Sequence, residues 1–439
     1  MLSYEPEIKI ALLQNYKEAR LNLKGRFLLA GEKPISSQII VSGRQGEVAL
    51  GEPSGLKIAS GKAIMLSAQD NATFTLSDVK IGIDFHWQRS QEQSFRGNIF
   101  LSAVSDSSFN LINEITLEDY LLSVISSEMS AAAPLEFLKA QAVVARSWLV
   151  AMLAKKKTAR SNTSSKNENE IVVWQDVNDH QGFDVCADDH CQRYQGITRI
   201  ISDNVRVAID ATRGLFLISG GDICDARYYK ACGGQTDIFS TAWEDKSPDY
   251  LKSVTDNIQQ HSPIASEAEA EGWLAGRPQA YCDTTDKELL GKILPVFDQE
   301  TLAFYRWQVT YSRQELEEII RKKSGIDFGE LQNIVAVGRG PSGRIYKLKI
   351  EGSKRNVIVG KELEIRRWLS ESHLLSSAFV VSKTNASDGS VKSFTLAGGG
   401  WGHGVGMCQI GAAVMASKGF NAKQILAHYF QDANLKKLY

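Results

Sequence analysis

Two consecutive helical patterns between Ile115 and Met152 constrain the fold of this chain more than any other feature. In the first pattern, apolar residues recur every three or four positions after Thr116, which is suited to capping a helix. The second pattern starts at Pro134, a residue suited to the first helical turn, and its apolar positions form one stripe. The segment therefore predicts two helices, separated by a short break, whose apolar faces must be buried against other elements.

Glu128 lies where the first predicted helix ends. The helix dipole presents its negative end there, which disfavours a carboxylate. Glu128 is either a helix-end residue that contacts solvent or the next helix, or an acid that delivers a proton to a leaving oxygen. Arg146, on the second helix, is a candidate for binding a substrate carboxylate through two parallel hydrogen bonds. An ion pair between Arg146 and an acidic residue of the first helix is the alternative.

The two helical segments also resemble a known family. The runs LEDYLLSVISSEM and PLEFLKAQAVVARSW are similar to the core motif of sporulation stage II protein D and the amidase enhancer LytB. The resemblance continues, in the family's order, in ACGGQT at 231–236, YLKSV at 250–254 and GWGHGVGMCQIGAAVMASKG at 400–419. It implies a peptidoglycan lytic transglycosylase, or a non-catalytic partner that enhances a cell-wall amidase. It also implies that Glu128, in the Ser-Glu-Met motif, is the catalytic residue.

We predict an α+β fold with an antiparallel sheet core packed by the helical pair. Residues 1–110 contain short apolar runs between turn residues and are interpreted as a β-rich scaffold. Residues 111–430 are expected to form the catalytic core, with insertions at about 155–200 and 260–301, of which the second is expected to be helical. Residues 431–439 form a C-terminal tail. Within the core, 155–170 is interpreted as a polar connector and 205–218 as a β-hairpin.

A glycine-rich stretch at 398–407 is the second strong motif. Six glycines in ten residues allow positive φ angles and close approach of the backbone to a ligand or to other backbone. Trp401 is a candidate for stacking on a sugar ring. His403 is either a satisfied structural histidine or a donor and proton relay. Gln409, which opens the following helix, is assigned to the substrate-binding set, whereas the family often has Ser at Cys408, so a nucleophilic cysteine is not expected there.

Tyr228 and Lys230 lie two residues apart on a predicted strand and therefore share one face. They are candidate hydrogen-bond donors to a sugar, and a solvated strand face is the alternative. We expect a cleft built from the Glu128 turn, the strand and loop at 228–234 and the glycine-rich stretch.

A cluster of soft ligands follows the helical pair. His180, Cys186, His190 and Cys191 place four such ligands within twelve residues, which fits a structural, tetrahedral zinc site. A disulfide between Cys186 and Cys191 in an exported protein, and unpaired surface residues, are the alternatives. A pairing of Cys224 with Cys232 across a hairpin is also open.

Composition excludes several classes of function. The chain has 439 residues and a net charge of −1, so no overall positive field attracts nucleic acid. We expect no membrane-spanning segment, because no run of 18 apolar residues occurs. The N-terminus does not resemble a signal peptide. The protein is therefore cytoplasmic or lacks its export signal in this sequence, and the resemblance favours a place in the cell envelope with glycan strands, and an amidase, as partners.

The sequence also bears on the product. Hydrolytic glycosidases usually need two carboxylates, and Glu118 and Asp119 lie more than two helical turns before Glu128. A single acid suffices if the muramic acid 6-hydroxyl attacks its own anomeric carbon. The expected product is therefore a 1,6-anhydro-muramic end.

Overall fold

The computed structural model describes residues 3–35, 37–82, 89–156, 165–174, 180–188, 190–264, 266–299 and 302–439. The chain folds into two compact units. The first comprises residues 1–132, 179–215 and 437–439, and the second comprises residues 133–178 and 216–436. Both contain helices and strands, which confirms the predicted α+β class.

Strands dominate the N-terminal part of the chain and recur through the rest of it. In chain order they are β1 (Glu7–Tyr16), β2 (Glu18–Lys24), β3 (Phe27–Leu29), β4 (Lys33–Pro34), β5 (Gln38–Arg44), β6 (Glu47–Gly51), β7 (Lys57–Gly61), β8 (Ala63–Ala68), β9 (Thr73–Ile81), β10 (Arg89–Arg96), β11 (Asn98–Ser105), β12 (Ser108–Thr116), β13 (Ser165–Lys166), β14 (Glu170–Val172), β15 (Val185–Cys186), β16 (Leu215–Ser219), β17 (Asp222–Ile223), β18 (Tyr228–Tyr229), β19 (Trp307–Ser312), β20 (Leu331–Arg339), β21 (Ile345–Gly352), β22 (Asn356–Gly360), β23 (Phe379–Asn385), β24 (Val391–Gly398), β25 (Met407–Cys408) and β26 (Asn434–Lys437).

The α-helices are concentrated after residue 116. They are α1 (Leu117–Glu128), α2 (Leu135–Lys156), α3 (Asn204–Thr212), α4 (Phe239–Ala242), α5 (Glu267–Ala275), α6 (Lys287–Ile293), α7 (Arg313–Ser324), α8 (Glu362–Trp368), α9 (Gln409–Ser417) and α10 (Ala422–Tyr429).

The first unit is built on two sheets. Their strand orders are β15-β1-β12-β11-β8-β3-β4 and β10-β9-β2-β5-β6-β7, and all pairs are antiparallel except β1 with β15. Apolar and polar residues alternate along these strands, so each strand buries one face; in β2, for example, Leu21 and Leu23 are buried between exposed neighbours.

A column of aromatic rings connects the sheets of the first unit with α1. The ring of Phe95 on β10 stacks on Phe74 and on Tyr194, with centroid separations of 5.3 and 5.8 Å. Tyr194 stacks in turn on Tyr120 of α1 at 5.2 Å. The Tyr194 hydroxyl donates a 2.6 Å hydrogen bond to the buried amide oxygen of Asn113. Because stacked rings combine large apolar area with defined geometry, this column fixes the position of α1 over the sheet.

The second unit combines sheets with covering helices. Its larger sheets have the orders β13-β14-β22-β21-β20 and β19-β24-β23. Helix α7 packs against β19 and β24, and α8 packs against β21 and β22, enclosing a core of residues such as Leu316, Trp368 and Leu348. Helix α2 packs against α9 and α10. The predicted helical insertion at 260–301 contains α5 and α6.

Helix α2 bears on the expectation that no segment of the chain could span a membrane. The segment Leu135–Lys155 is long and apolar enough to cross a membrane by length and composition, although we expected no such segment. However, 83% of its most apolar window is buried inside the protein. Burial of this kind is typical of a core helix, so length and composition alone do not make α2 a membrane span.

The predicted hairpin at 205–218 is wrong. Residues Asn204–Thr212 form α3, and the strand that begins within 205–218 is β16, which pairs with β17 beyond this segment. Val205, Ala208, Ile209 and Thr212 are buried, which is the three-and-four spacing of a helix face. Val207, by contrast, is exposed.

Part of the predicted polar connector at 155–170 falls outside the described residues, namely 157–164. Helix α2 extends to Lys156, and the chain continues as the short strands β13 and β14.

Gly97 provides a test of the packing in the first unit. It joins β10 to β11 at φ +91°, and a Cβ atom there would lie 2.5 Å from the carbonyl oxygen of Glu114. We expect Gly97→Ala to lower the free energy of unfolding by about 1–2 kcal/mol for the positive φ, and by a further 1–3 kcal/mol, roughly, for the collision.

Gly55 is the matched control for this substitution. It has the same φ of +91°, but a Cβ atom there would meet nothing within 4 Å. Gly55→Ala should therefore show the smaller loss only. Equal losses in denaturant-induced unfolding of the two variants would contradict the collision at Gly97.

Candidate functional site

The sequence around α1 explains where Glu128 is placed. The Thr116 hydroxyl accepts a hydrogen bond from the backbone N–H of Asp119, so Thr116 caps the helix as predicted. Near the other end, the hydroxyls of Ser126 and Ser127 donate to carbonyls one turn earlier. Glu128 is the last helical residue and is half-buried.

The last turn of α1 is attached to residues 192–195. The backbone N–H of Arg193 donates a 3.0 Å hydrogen bond to Oε1 of Glu128. The backbone N–H of Gln195 donates to the Ser127 hydroxyl at 3.3 Å, and two turns earlier the Tyr120 hydroxyl donates to the side chain of Gln192 at 3.0 Å. This segment of backbone therefore contributes to the orientation of the Glu128 carboxylate.

The four predicted metal ligands meet immediately before that segment. One ligand atom from each of His180, Cys186, His190 and Cys191 lies within 4.8 Å of the others. Cys191 Sγ lies 3.1 Å from Nε2 of His180 and 3.6 Å from Nδ1 of His190, while Cys186 Sγ lies 3.9 Å from that Nδ1. A tetrahedral zinc ion with ordinary bond lengths has ligand–ligand edges of about 3.3–3.8 Å. The donor set and its spacing fit a metal of this type.

No disulfide joins the thiols of Cys186 and Cys191 in this cluster. Hydrogen bonding to Cys191, and then to His180 and His190, holds the pKa of Cys186 well below its usual range, although burial opposes the shift. A thiolate is the form that binds a metal. The cluster is fixed to the sheet because Cys186 lies on β15, where it pairs with Ala11 of β1.

In the second unit the structure brings Tyr228, Trp401 and His403 together. Trp401 exchanges backbone hydrogen bonds with Ala231, at 3.0 and 2.7 Å. Strand β18, which begins at Tyr228, pairs in parallel with β25, which follows the glycine-rich stretch. All three predicted substrate-binding residues are partly exposed, so they can contact a ligand.

The glycines of this stretch are required by the backbone. Gly400, Gly402, Gly404 and Gly406 have φ angles between +82° and +101°. A Cβ atom at Gly406 would lie 2.1 Å from the carbonyl oxygen of Arg227. The stretch therefore packs closely against other backbone, which is one of the two uses that the sequence suggested.

His403 uses both ring nitrogens to hold this backbone. Its Nδ1 accepts a hydrogen bond from the N–H of Val405 at 3.1 Å, and its Nε2 donates to the carbonyl of Tyr228 at 3.0 Å. Burial, followed by the guanidinium groups of Arg227 and Arg344, holds the pKa of His403 well below its usual range. The imidazole is thus neutral, and it has a structural role whether or not it also contacts substrate.

Three other predicted binding residues are buried. Lys230 forms an ion pair with Asp298 at 3.0 Å. Arg146 is fully buried, and one of its guanidinium nitrogens lies 3.4 Å from the carbonyl oxygen of Ala142. Gln409, the first residue of α9, donates a 3.4 Å hydrogen bond to the side chain of Gln141 on α2. Of the predicted site residues, Glu128 and the four metal ligands belong to the first unit, and the substrate-binding candidates belong to the second.

A second cluster of four groups was missed by the sequence reasoning. Cys232, Asp256, Cys282 and Cys408 come together in the interior of the second unit. Cys232 lies 3.3 Å from Cys282, and the suggested pairing with Cys224 does not occur. No spacing in the sequence indicates this cluster, because its members come from four distant segments.

Comparisons with known proteins agree with the family resemblance that the sequence motifs indicated. Residues 105–218 match the family model described as Stage II sporulation protein. The chain carries a SpoIID domain. The matched residues include Glu128 and the candidate metal ligands between His180 and Cys191. Residues 237–406 match a model described as a domain of unknown function.

The relatives of the chain are distant. Stage II sporulation protein D of Bacillus amyloliquefaciens is 24% identical over 327 residues, which cover 74% of this chain and 76% of that protein. An uncharacterized protein of Brachyspira hyodysenteriae is 24% identical over 432 residues, covering 98% and 92% of the two chains. The amidase enhancer of Bacillus subtilis is 24% identical over 331 residues, but these cover 72% of this chain and only 40% of that protein. The chain is thus distantly homologous to stage II sporulation protein D and to the amidase enhancer, as the motifs predicted.

The structural role of His403 predicts a pH dependence. Its pKa in the folded state is lowered, so as the pH falls below about 6.5 the unfolded state binds the proton first, and stability decreases. We expect His403→Gln to be less stable than the wild type at pH 7.5 by about 1–3 kcal/mol, because the backbone hydrogen bonds change. Between pH 7 and 5 its stability should fall less steeply, by up to about 1.4 kcal/mol per pH unit.

Denaturant unfolding followed by tryptophan fluorescence measures this difference, since Trp243 lies against the His403 ring. His373 and His428, whose pKa values burial also lowers, remain in both proteins and cancel in the comparison. Identical pH slopes for the two proteins would show that His403 is not the titrating group.

Proposed function

We propose that this protein is a peptidoglycan lytic transglycosylase in which Glu128 is the catalytic acid and base. The SpoIID domain and the distant homology to stage II sporulation protein D and the amidase enhancer imply a role in remodelling cell-wall peptidoglycan. The observation that supports lytic transglycosylase activity is the placement of Glu128. Its carboxylate is half-buried at a helix end, against the dipole, and is oriented by a backbone N–H from a separate segment.

The proposed reaction needs only one protein carboxylate. Glu128 protonates the oxygen of the glycosidic bond as the bond from the anomeric carbon breaks. The 6-hydroxyl of the same muramic acid then forms the new bond to that carbon, and the Glu128 carboxylate takes the hydroxyl proton. Intramolecular attack has an effective molarity of roughly 10⁵–10⁸ M, which compensates for the missing protein nucleophile.

A two-carboxylate hydrolysis is not supported by α1 itself. Hydrolytic pairs lie about 5–9.5 Å apart. Asp119 precedes Glu128 by nine residues on a continuous helix, a rise of about 13 Å along the axis. Glu118 is buried and accepts hydrogen bonds from the N–H of Gly214 and the hydroxyl of Tyr439. These contacts give Glu118 a structural role.

We further propose that His180, Cys186, His190 and Cys191 bind one structural zinc ion. Protein ligands would fill all four positions, so the ion would supply rigidity rather than activate water. Its chemical contribution is to hold Cys191, which directly precedes the segment that donates to Glu128. The cluster would therefore position the catalytic carboxylate through the main chain.

For sugar binding we propose Tyr228, Trp401 and His403, the partly exposed members of the candidate set. Trp401 offers an aromatic face and Tyr228 a phenol hydroxyl. Arg146, Lys230 and Gln409 are buried, and we propose that they support this surface from within the second unit. The substrate lies outside the cytoplasmic membrane, so the protein would act in the cell envelope.

A second function follows from the match to the amidase enhancer over 72% of this chain. In that case the protein would bind glycan strands and enhance a separate cell-wall amidase without cleaving them. Incubation of purified sacculi with the protein, followed by mass analysis of released fragments, distinguishes the two. Anhydro ends, lighter by one water than hydrolysed ends, support the transglycosylase. Binding without release of fragments supports the enhancer.

We expect Glu128→Gln to abolish most glycan cleavage, with a loss of about 10²–10⁴-fold, because the amide cannot donate and reclaim a proton. The fold should persist, since the amide oxygen can still accept from Arg193. Release of anhydro-muropeptides from sacculi is the measurement. Glu18→Gln, which removes an exposed carboxylate from β2, should keep wild-type activity. Wild-type turnover by Glu128→Gln would exclude Glu128 from the mechanism.

The double substitution Cys186→Ser/Cys191→Ser should lose one equivalent of zinc per chain and reduce glycan cleavage, since the 192–195 segment would lose its anchor. Cys224→Ser is the control, because Cys224 is a buried cysteine that belongs to neither cluster. Zinc is measured by elemental analysis of purified full-length protein. An unchanged zinc content, or a Cys186–Cys191 disulfide in the intact mass, would contradict this site.

A further inference from the structure

The second cluster has the composition of a metal site in a place where none is assigned. Cys232 is 3% exposed, and Asp256, Cys282 and Cys408 are 0% exposed. One ligand atom of each lies within 4.8 Å of the others. All four belong to the second unit, whereas the His180–Cys191 ligands belong to the first.

The spacing of these atoms fits a tetrahedral ion. Bonds of about 2.3 Å to sulfur and about 2.0–2.2 Å to a carboxylate oxygen give edges of about 3.4–3.8 Å. The Sγ atoms of Cys232 and Cys282 are 3.3 Å apart, about 0.5 Å shorter than a sulfur–sulfur edge of about 3.8 Å. A disulfide would bring these sulfurs to about 2.05 Å. All separations in the cluster are within 4.8 Å, so none exceeds an edge by more than about 1 Å, a gap that side-chain rotation can close.

The surroundings of the sulfurs resemble the outer shell of a thiolate site. The backbone N–H groups of Cys232 and Gly411 donate to Cys408 Sγ at 3.3 and 3.4 Å. The N–H of Gly234 donates to Cys232 Sγ at 3.3 Å. Donors of this kind stabilise negative charge on sulfur and orient it toward an ion.

The carboxylate is oriented in the same way. Asp256 Oδ2 accepts the N–H of Cys282 at 2.8 Å, and Oδ1 accepts the hydroxyl of Tyr429. Each oxygen keeps a further lone pair. A Cβ atom at residue 411 would lie 2.3 Å from Oδ1, so the glycine there makes room for the carboxylate.

Positive charge is available to balance the cluster. Three thiolates, one carboxylate and one divalent ion carry a net charge of −2. The Arg306 guanidinium donates to the carbonyl of Gly233 at 2.9 Å, and the fully buried guanidinium of Arg344 donates to the carbonyl of Cys232 at 3.2 Å. Two guanidinium groups thus bind the backbone at Gly233 and Cys232. Their positive charge lowers the free-energy cost of burying an anionic site.

We propose that Cys232, Asp256, Cys282 and Cys408 bind one structural zinc ion in the interior of the second unit. Four protein ligands leave no position for water, so the ion has a structural role. It ties the segment after β18 and the N-cap of α9 to Asp256 and to the segment between α5 and α6. It therefore stabilises the β18–β25 pair, which supports Trp401 and His403.

Zinc content of the purified full-length protein tests this proposal. After removal of loosely bound metal, we expect Cys186→Ser/Cys191→Ser to retain one tightly bound zinc per chain, because that variant leaves the second cluster intact. Cys282→Ser and Asp256→Asn should each bind one zinc fewer than the wild type. Cys224→Ser should match the wild type, since it changes a buried cysteine outside both clusters.

A measurement on the wild type alone keeps the test valid if a variant fails to fold. X-ray absorption at the zinc edge should give five cysteine ligands over two ions, three of them from this cluster. The proposal is overturned if Cys186→Ser/Cys191→Ser holds no zinc, or if intact mass shows a Cys232–Cys282 disulfide. Neither result bears on glycan cleavage by Glu128, so the two proposals fail separately.

Discussion

The hydrogen bond from the Arg193 backbone to Glu128 is the contact on which the candidate catalytic site depends. A carboxylate at the C-terminal end of a helix opposes the helix dipole, so it remains in one orientation only if another element holds it. That element is short and itself needs support. The stacking of Tyr194 between Phe95 and Tyr120 supports it from the sheet, and the His180–Cys191 cluster lies immediately before it.

The same logic applies to the second unit, where two short strands carry the exposed aromatic residues. A two-residue parallel pair such as β18 with β25 has little stability of its own. It is held by the His403 ring, by glycines that permit close backbone contact, and by the cluster around Cys232 and Cys408. In both units, therefore, a group of ligand-type side chains lies next to irregular backbone that carries candidate site residues.

Sequence reasoning succeeded where a signal was local. Spacings of a few residues predicted the helices around Glu128 and Arg146, the Thr116 cap and the grouping of His180 with Cys186. The structure contains each of these features. It failed at 205–218, where the predicted hairpin is a helix followed by a strand and the buried positions have helical spacing. Short apolar segments allow both interpretations, and only burial distinguishes them.

The sequence by itself determined the α+β class, the SpoIID domain, the position of Glu128 at a helix end and the four residues of the first cluster. The tertiary structure alone decided that Arg193 orients Glu128, that Lys230 and Arg146 are buried, and that His403 holds backbone. It also decided that Cys232, Asp256, Cys282 and Cys408 meet. The reason is physical: helix and turn signals arise from neighbouring residues, whereas contacts between distant segments depend on how whole elements pack, which no local spacing encodes.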